Sequence, residues 1–147
     1  MTRLTYAMQF VGRTGPEAAA AKASGARWTT EIGSEGLRCM IEPVAGESAT
    51  FESTVEHLEP GWFLESGEIT FGSSGDALVF ETVGRGWVSP SIEPGWQTGA
   101  VIFGITGGRG HLEGASGYVC SNFLVGPDGE LIDNHLGVVM LEDNPKE

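Results

Sequence analysis

The feature that most constrains the fold is strict alternation of side-chain type on both sides of one turn. Residues 50–58 and residues 62–72 each alternate between two sets of side chains, one of them rich in Phe, Val and Ile. A period of two predicts β-strands with one buried face. The intervening Glu59-Pro60-Gly61 has the residue types of a tight turn. We therefore predict an antiparallel hairpin in which the numbers of paired residues sum to about 120.

Most of the remaining chain has the same character. Turn residues at 73–76, 93–96 and 126–129 separate further apolar, β-branched runs. The additional predicted strands cover residues 4–12, 37–42, 77–89, 97–106, 118–126 and 130–141. Gly84 and Gly86 are predicted bend points within residues 77–89. Residues 13–27 contain four consecutive alanines without an amphipathic face, so they are predicted as a loop or short helix. Residues 143–147 are predicted as a polar tail.

Composition agrees with a sheet that bends repeatedly. Glycine contributes 23 of the 147 residues and hydrophobic residues contribute 40%. Such a chain is too apolar to be disordered and too rich in glycine for a helical bundle. Eight antiparallel strands with glycine bends favour a closed barrel, which leaves no free sheet edge. We predict that residues 1–147 form one all-β domain, an eight-stranded antiparallel β-barrel with a short N-terminal loop or helical insertion.

Charge and targeting signals exclude several classes of function. Eight basic and 20 acidic residues give a net charge of −12, which opposes binding to nucleic acids and to anionic membranes. The sequence has no apolar stretch of about 18 residues and no secretory signal pattern at its start. Cys39 and Cys120 do not form a disulfide framework and are expected as partly buried thiols. A cytoplasmic protein is the expectation.

Familiar catalytic and metal-binding motifs are not found. His57, His111 and His135 lack the spacing of a metal site, so no metal is expected. Asp133 and His135 share a strand face and are interpreted as a solvated pair at a strand end. The glycine-rich residues 106–110 lack the Lys-Ser/Thr of a phosphate loop and are interpreted as a turn.

The predicted hairpin carries the most informative group of side chains. Pairing places Val55 opposite Glu65 and His57 opposite Phe63, so that His57 and Glu65 become diagonal neighbours roughly 7 Å apart. Their face is rich in aromatic residues and is expected to point inward. A carboxyl in such surroundings has a raised pKa and can act as a general acid or a hydrogen-bond donor. The alternative interpretation is that this face lies outside the barrel, or that Glu65 lies at a wet rim.

These considerations define a predicted site. The candidate catalytic residues are Glu65, His57 and Tyr118. The candidate substrate-binding residues are Tyr6, Met8, Phe10, Cys39, Phe51, Val55, Phe63, Ile69 and Asn122. For Tyr118 and Asn122, which share a strand face, ordinary cross-strand packing is the alternative interpretation.

A glycine-rich segment gives the sequence a family resemblance. Residues 101–119 read VIFGITGGRGHLEGASGYV, in which the glycines permit sharp turns and Leu112 can turn inward as a plug. The pattern resembles the Gly-Gly-Thr/Ser-Gly-x-Phe-x-Gly-Ala-x-Gly signature of the allene oxide cyclase and dirigent barrel superfamily. Arg109 stands in place of the Thr or Ser, and Leu112 in place of the Phe. Including VFETVGRG at residues 79–86, the resemblance extends over residues 77–123.

The resemblance implies a barrel whose apolar lumen holds a small hydrophobic substrate and which needs no cofactor. In length, in acidity and in lacking a secretory signal pattern, the chain is more similar to the bacterial branch of that superfamily than to the secreted dirigent branch. The bacterial branch includes small polyketide cyclases such as spirotetronate-forming [4+2] cyclases. The resulting hypothesis is a cyclase or isomerase that folds a polyketide-like biosynthetic intermediate. Two alternatives stay open: a lipocalin-like barrel that carries a small molecule unchanged, and a structural protein with a filled barrel.

Self-association is a further expectation. Val101, Phe103 and Ile105 alternate with Ala100 and Ile102, so that both faces of this strand are apolar. A ligand on one side and a subunit on the other would account for this pattern. A homodimer or homotrimer is predicted.

Overall fold

The computed structural model describes residues 1–143, which form nine β-strands and one turn of 3₁₀-helix. The strands are β1 (Thr2–Thr14), β2 (Ala18–Gly33), β3 (Gly36–His57), β4 (Trp62–Phe71), β5 (Asp76–Thr82), β6 (Gly86–Pro90), β7 (Gln97–Arg109), β8 (Ser116–Val125) and β9 (Glu130–Leu141). The 3₁₀-helix, Gly110–Leu112, lies between β7 and β8. Apart from Asp143, the predicted polar tail lies outside the described residues.

The strands close into an antiparallel ring with eight positions. Their order is β3-β2-β1-β9-β8-β7-β5-β4, and pairing between β3 and β4 closes the ring. β6 pairs with the same two neighbours as β5, namely β4 and β7, and therefore continues the same position. The predicted strand at residues 77–89 is thus interrupted at Gly84, whose φ is +69°. The predicted eight-stranded antiparallel barrel is confirmed.

The predicted hairpin forms in the predicted register. Val55 pairs with Glu65 and His57 pairs with Phe63. The turn between β3 and β4 is closed by the Trp62 N–H, which donates to the Glu59 carbonyl at 2.9 Å. Gly61 has a φ of +88°, a conformation that favours glycine. The register puts the aromatic face of the hairpin inside the barrel.

The predicted N-terminal loop or helix is wrong, because this region contributes strand β2. Ala19, Ala21 and Ala23 are buried, whereas the intervening residues are exposed. The backbones of β1 and β2 approach closely here, since a Cβ on Gly12 of β1 would lie 2.0 Å from the Ala20 carbonyl oxygen. Close approach of two strands therefore overrides the helix preference of alanine.

β2 and β3 also extend beyond the barrel as a two-stranded ribbon. β3 is one strand of 22 residues, not the separate segments predicted at residues 37–42 and 50–58. The register shifts between Ser24 and Gly25, and the two strands continue from the Gly25–Val44 pair to the Gly33–Gly36 pair. We call this part, residues 25–44, the ribbon arm. Residues 27–48 are all exposed.

One end of the barrel is filled by side chains. Phe51 contacts the rings of Phe10, Phe80 and Phe103, with centroids 5.5–6.1 Å apart, and all four phenylalanines are fully buried. Leu112 of the 3₁₀-helix is buried against this core, as the glycine-rich motif predicted. Within residues 1–143, no helix has the length and apolar character needed to cross a bilayer.

Candidate functional site

The other end of the barrel is open and contains a pocket. The turns β1–β2, β3–β4, β6–β7 and β8–β9 surround its mouth. Its volume is about 110 Å³. It is lined by Thr14, Gly15, Ala19, Val55, His57, Phe63, Glu65, Val88, Gln97, Phe123, Val125, Leu131 and Asp133. The wall is mainly apolar, and Glu65 and Asp133 bring two carboxyl groups into it.

Glu65 is held in the pocket wall by its neighbours. Ser53 on β3 donates a hydrogen bond from Oγ to Oε2 of Glu65 at 2.5 Å. Thr82 Oγ1 accepts from the Glu65 backbone N–H and donates to the Glu65 carbonyl, each at 2.7 Å. These contacts come from the strands on either side of β4. They fix both the backbone and the carboxyl group of Glu65.

The environment of Glu65 shifts its ionisation towards neutral pH. Burial raises its pKa from 4.5 to about 7, the hydrogen bond from Ser53 acts in the opposite direction, and the charge of Asp133 raises the pKa further. Burial dominates because the charged form loses hydration. Near neutral pH, a large fraction of Glu65 is therefore protonated and able to donate a proton or a hydrogen bond.

Asp133 is the second carboxyl group, and its predicted position at a solvated strand end is wrong. It was interpreted as half of a solvated pair with His135, but Asp133 is 3% exposed and His135 is 1% exposed. Ser121 Oγ donates to Oδ1 of Asp133 at 2.5 Å, and His135 Nε2 lies 2.9 Å from Oδ2. The shared strand face was correct, but that face of β9 points inward between Leu131 and Val139. Ser121 and His135 thus hold Asp133 rigidly.

Two further polar atoms are buried deeper in the barrel. His135 Nδ1 and Tyr6 Oη have no hydrogen-bond partner among residues 1–143. Tyr6 packs edge-to-face on Phe71 at 5.6 Å and lies over Gly137, where a Cβ would be 2.2 Å from its ring. Burial and then the charge of Asp133 raise the pKa of Tyr6. Tyr6 faces the lumen, as predicted, but lies outside the pocket lining.

The structure separates the other predicted lumen residues into two groups. The first group lines the pocket and consists of Val55, His57, Phe63 and Glu65. His57 is exposed at the rim of the pocket. The second group is buried in the packed interior, where it fills the barrel without lining the pocket. Its members are Met8, Phe10, Phe51 and Ile69.

Three predicted site residues lie outside the barrel. Tyr118 is 59% exposed, and Asn122 is exposed on the same outer face of β8. The inner face of this strand is formed by Val119, Ser121 and Phe123. Cys39 belongs to the ribbon arm and is exposed, as is Cys120 on β8. The expectation of partly buried thiols is therefore wrong.

Two serines that hold the carboxyl groups were not among the predicted site residues. Ser53 and Ser121 each lie on a buried strand face between apolar neighbours. A serine in such a position needs a hydrogen-bond partner, and that requirement is the signal that could have identified both. No group of three or more His, Cys, Asp or Glu side chains in the described part of the chain is arranged to hold a metal ion.

The fold defines a class: an antiparallel eight-stranded β-barrel that is open at one end. The pterocarpan synthase dirigent protein GePTS1 has a similar solved structure, with a TM-score of 0.52 and 15% sequence identity. The similarity covers 94% of this chain and 87% of that chain. No protein-family model matches the sequence, and no curated protein matches it. At this identity the comparison establishes the fold, in agreement with the motif at residues 101–119.

Proposed function

We propose that the protein is a cofactor-independent cyclase or isomerase that acts on a small hydrophobic biosynthetic intermediate. The observation that carries this proposal is Glu65, a carboxyl group with a pKa of about 7 in a mainly apolar pocket at the open end of the barrel. A protonated carboxyl can hydrogen-bond to a substrate carbonyl oxygen and polarise it. The carbonyl carbon or its conjugated partner then becomes more electrophilic, which favours ring closure or a double-bond shift.

The size of the pocket indicates how much of a substrate it holds. Its volume of about 110 Å³ is below the roughly 300 Å³ at which drug-sized ligand pockets begin. The pocket therefore holds the reacting end of the substrate, and the rest lies at the mouth near His57 and Gln97. Fixing a flexible chain close to its reacting conformation lowers the entropic part of the barrier.

Asp133 has a different role in this proposal. Ser121 and His135 hold its carboxyl group in place, and its charge favours the protonated form of Glu65. Asp133 is therefore a positioning residue that keeps Glu65 in its donor state. It also provides a fixed negative charge opposite any positive charge that develops on the substrate.

We extend the proposal to polyketide-like substrates and a [4+2] ring closure, because residues 77–123 resemble the superfamily that includes the bacterial cyclases. A reducing cytoplasmic location is part of the same proposal, because Cys39 and Cys120 are exposed thiols and such thiols persist in reducing compartments. Neighbouring biosynthetic genes would support this substrate class.

A lipocalin-like carrier is the second candidate function, because it needs the same mainly apolar pocket wall. The two candidates differ in what happens to the ligand. Native mass spectrometry and chromatography after incubation with a conjugated polyene ketone distinguish them. A carrier returns the ligand with its mass and retention time unchanged, whereas an isomerase or cyclase returns the same mass with a new retention time.

The decisive variant is Glu65→Gln, which keeps the shape of the side chain and removes its acidic proton. If Glu65 is the general acid, product formation falls by about 100-fold or more. The matched control is Glu56→Gln, on the outward face of β3, which leaves the rate unchanged. Val55→Phe fills the pocket and abolishes product formation even if Glu65 is intact. Equal rates for wild type and Glu65→Gln would contradict the assignment.

A further inference from the structure

The ribbon arm has two chemically different faces. On one face the cross-strand pairs are Trp28 with Ile41, Thr30 with Cys39, and Ile32 with Leu37. On the other face the pairs are Arg27 with Glu42, Thr29 with Met40, and Glu31 with Arg38. One face is thus apolar and the other carries two pairs of opposite charges. An isolated two-stranded ribbon is marginally stable in water, so its apolar face needs a cover.

The outer wall of the barrel provides a matching apolar surface. One continuous row of paired, outward-facing residues crosses β1, β9, β8 and β7. In that order, the row consists of Ala7, Leu136, Cys120 and Ile102. This row is the floor of a groove of about 610 Å³, bounded by Trp28 on one side and by Val83 and Arg85 on the other. Trp28 belongs to both surfaces, so the arm and the groove are continuous.

We propose that the apolar face of the ribbon arm of one molecule lies along this groove of a second copy of the chain. One contact then covers both surfaces, and a two-fold axis makes the exchange reciprocal. The proposal concerns assembly and does not depend on the proposed activity. It identifies the surfaces behind the self-association expected from the sequence.

Charge favours a copy of the same chain as the occupant. The protein has a net charge of −12, so most of its surface repels another copy. The ribbon arm reduces this repulsion, because Arg27 and Arg38 balance Glu42 and Glu31 on its outer face. Glu35, in the turn at the tip of the arm, is its one unbalanced charge. The groove floor carries no charged side chain, and Arg85 lies at its edge. Arm and groove can therefore meet without the cost of burying like charges.

The contact is also large enough. The nine residue pairs of the arm span roughly 30 Å along the strands. With a ribbon width of about 10 Å, one face of the arm covers roughly 300 Å². Reciprocal exchange buries about 1,200 Å² when both sides of both contacts are counted, which is the lower bound for a stable specific interface. A single one-way contact would fall short of this value.

Light scattering of the full chain at micromolar concentration tests the assembly. We expect a mass of two copies for wild type. Leu37→Glu places a charge on the apolar face and weakens self-association by about tenfold or more. Met40→Glu is the matched control on the opposite face, and it leaves the mass unchanged. Both residues are exposed in the single chain, at 67% and 56%, so neither variant disturbs the monomer.

Cross-linking tests which surfaces meet. Cys39 lies in the apolar face of the arm and Cys120 lies in the groove floor, so the proposed contact brings them together from different molecules. We expect a short bismaleimide to join a mixture of the Cys39→Ser and Cys120→Ser variants into dimers, and neither variant alone. A monomeric wild type, equal effects of Leu37→Glu and Met40→Glu, or no cross-link in the mixture would overturn the proposal.

Discussion

At the scale of single residues, the burial of Glu65 couples its ionisation to the stability of the whole chain. Its pKa is 4.5 in the unfolded chain and about 7 in the native protein. Between these values the native protein holds a proton that the unfolded chain has released. The free energy of unfolding therefore falls as pH rises from about 4.5 through 7, by roughly 3 kcal/mol in total, and levels off once Glu65 has also ionised in the native protein.

The first prediction follows from this coupling. In urea denaturation at about pH 5 and about pH 8, wild type loses more stability between the two conditions than Glu65→Gln does. Groups other than Glu65 titrate equally in both proteins, so the difference in their pH dependence isolates Glu65. An identical pH dependence in the two proteins would show that Glu65 is not buried as described.

The second residue-scale prediction concerns Asp133. Asp133→Asn removes the negative charge near Glu65 and keeps the size of the side chain. We expect the pKa of Glu65 to fall but to stay above 4.5, because burial is the largest cause of its shift. Carbon-detected NMR titration of the Glu65 carboxyl measures this value. Asp128→Asn, in the exposed turn between β8 and β9, is the control and leaves the pKa unchanged.

At the scale of structural elements, the glycine-rich link between β7 and β8 depends on one close approach. A Cβ on Gly108 would lie 2.2 Å from the Leu112 carbonyl oxygen and 2.7 Å from that of Ala77, whereas a Cβ on Gly107 would have no atom within 4 Å. Adjacent glycines of one motif therefore have different roles. Gly108 allows the 3₁₀-helix to fold back over the barrel end.

This difference gives the third prediction. Gly108→Ala forces the backbone apart and lowers the free energy of unfolding by about 1–3 kcal/mol, whereas Gly107→Ala, the matched control, changes it by less than about 0.5 kcal/mol. Urea unfolding midpoints of both variants measure the effect. Similar losses in the two variants would mean that the close approach around Gly108 does not exist in solution.

The same scale shows which elements a sequence can predict. The β3–β4 hairpin could be predicted to the residue, because alternation and a Pro-Gly turn both fix its register. β2 could not, since an alanine run favours a helix until a neighbouring strand comes close. The outer position of Tyr118 was also missed, because β8 carries apolar residues on both faces and alternation alone does not identify the inner one.

At the scale of the whole molecule, barrel closure followed from strand number, glycine content and the motif at residues 101–119. The shape of the barrel interior could not be predicted from these features. Whether a barrel is hollow depends on the summed volumes of inward side chains from all strands, and here Phe10, Phe51, Phe80 and Phe103 fill one end. The Glu65–Asp133 proximity likewise needs two strands that are distant in sequence, so no local pattern identifies it.

Because side chains fill one end of the barrel formed by residues 1–143, the pocket has its entrance at the other end. In the proposed function, a ligand enters and leaves by this entrance. Its leading group therefore contacts Glu65, while the rest of the ligand stays near the mouth of the pocket. In the proposed function, selectivity therefore depends on the leading group of the substrate, and chains of different lengths behind it are tolerated. The proposed function therefore predicts that the barrel accepts a set of related substrates that share one reactive end.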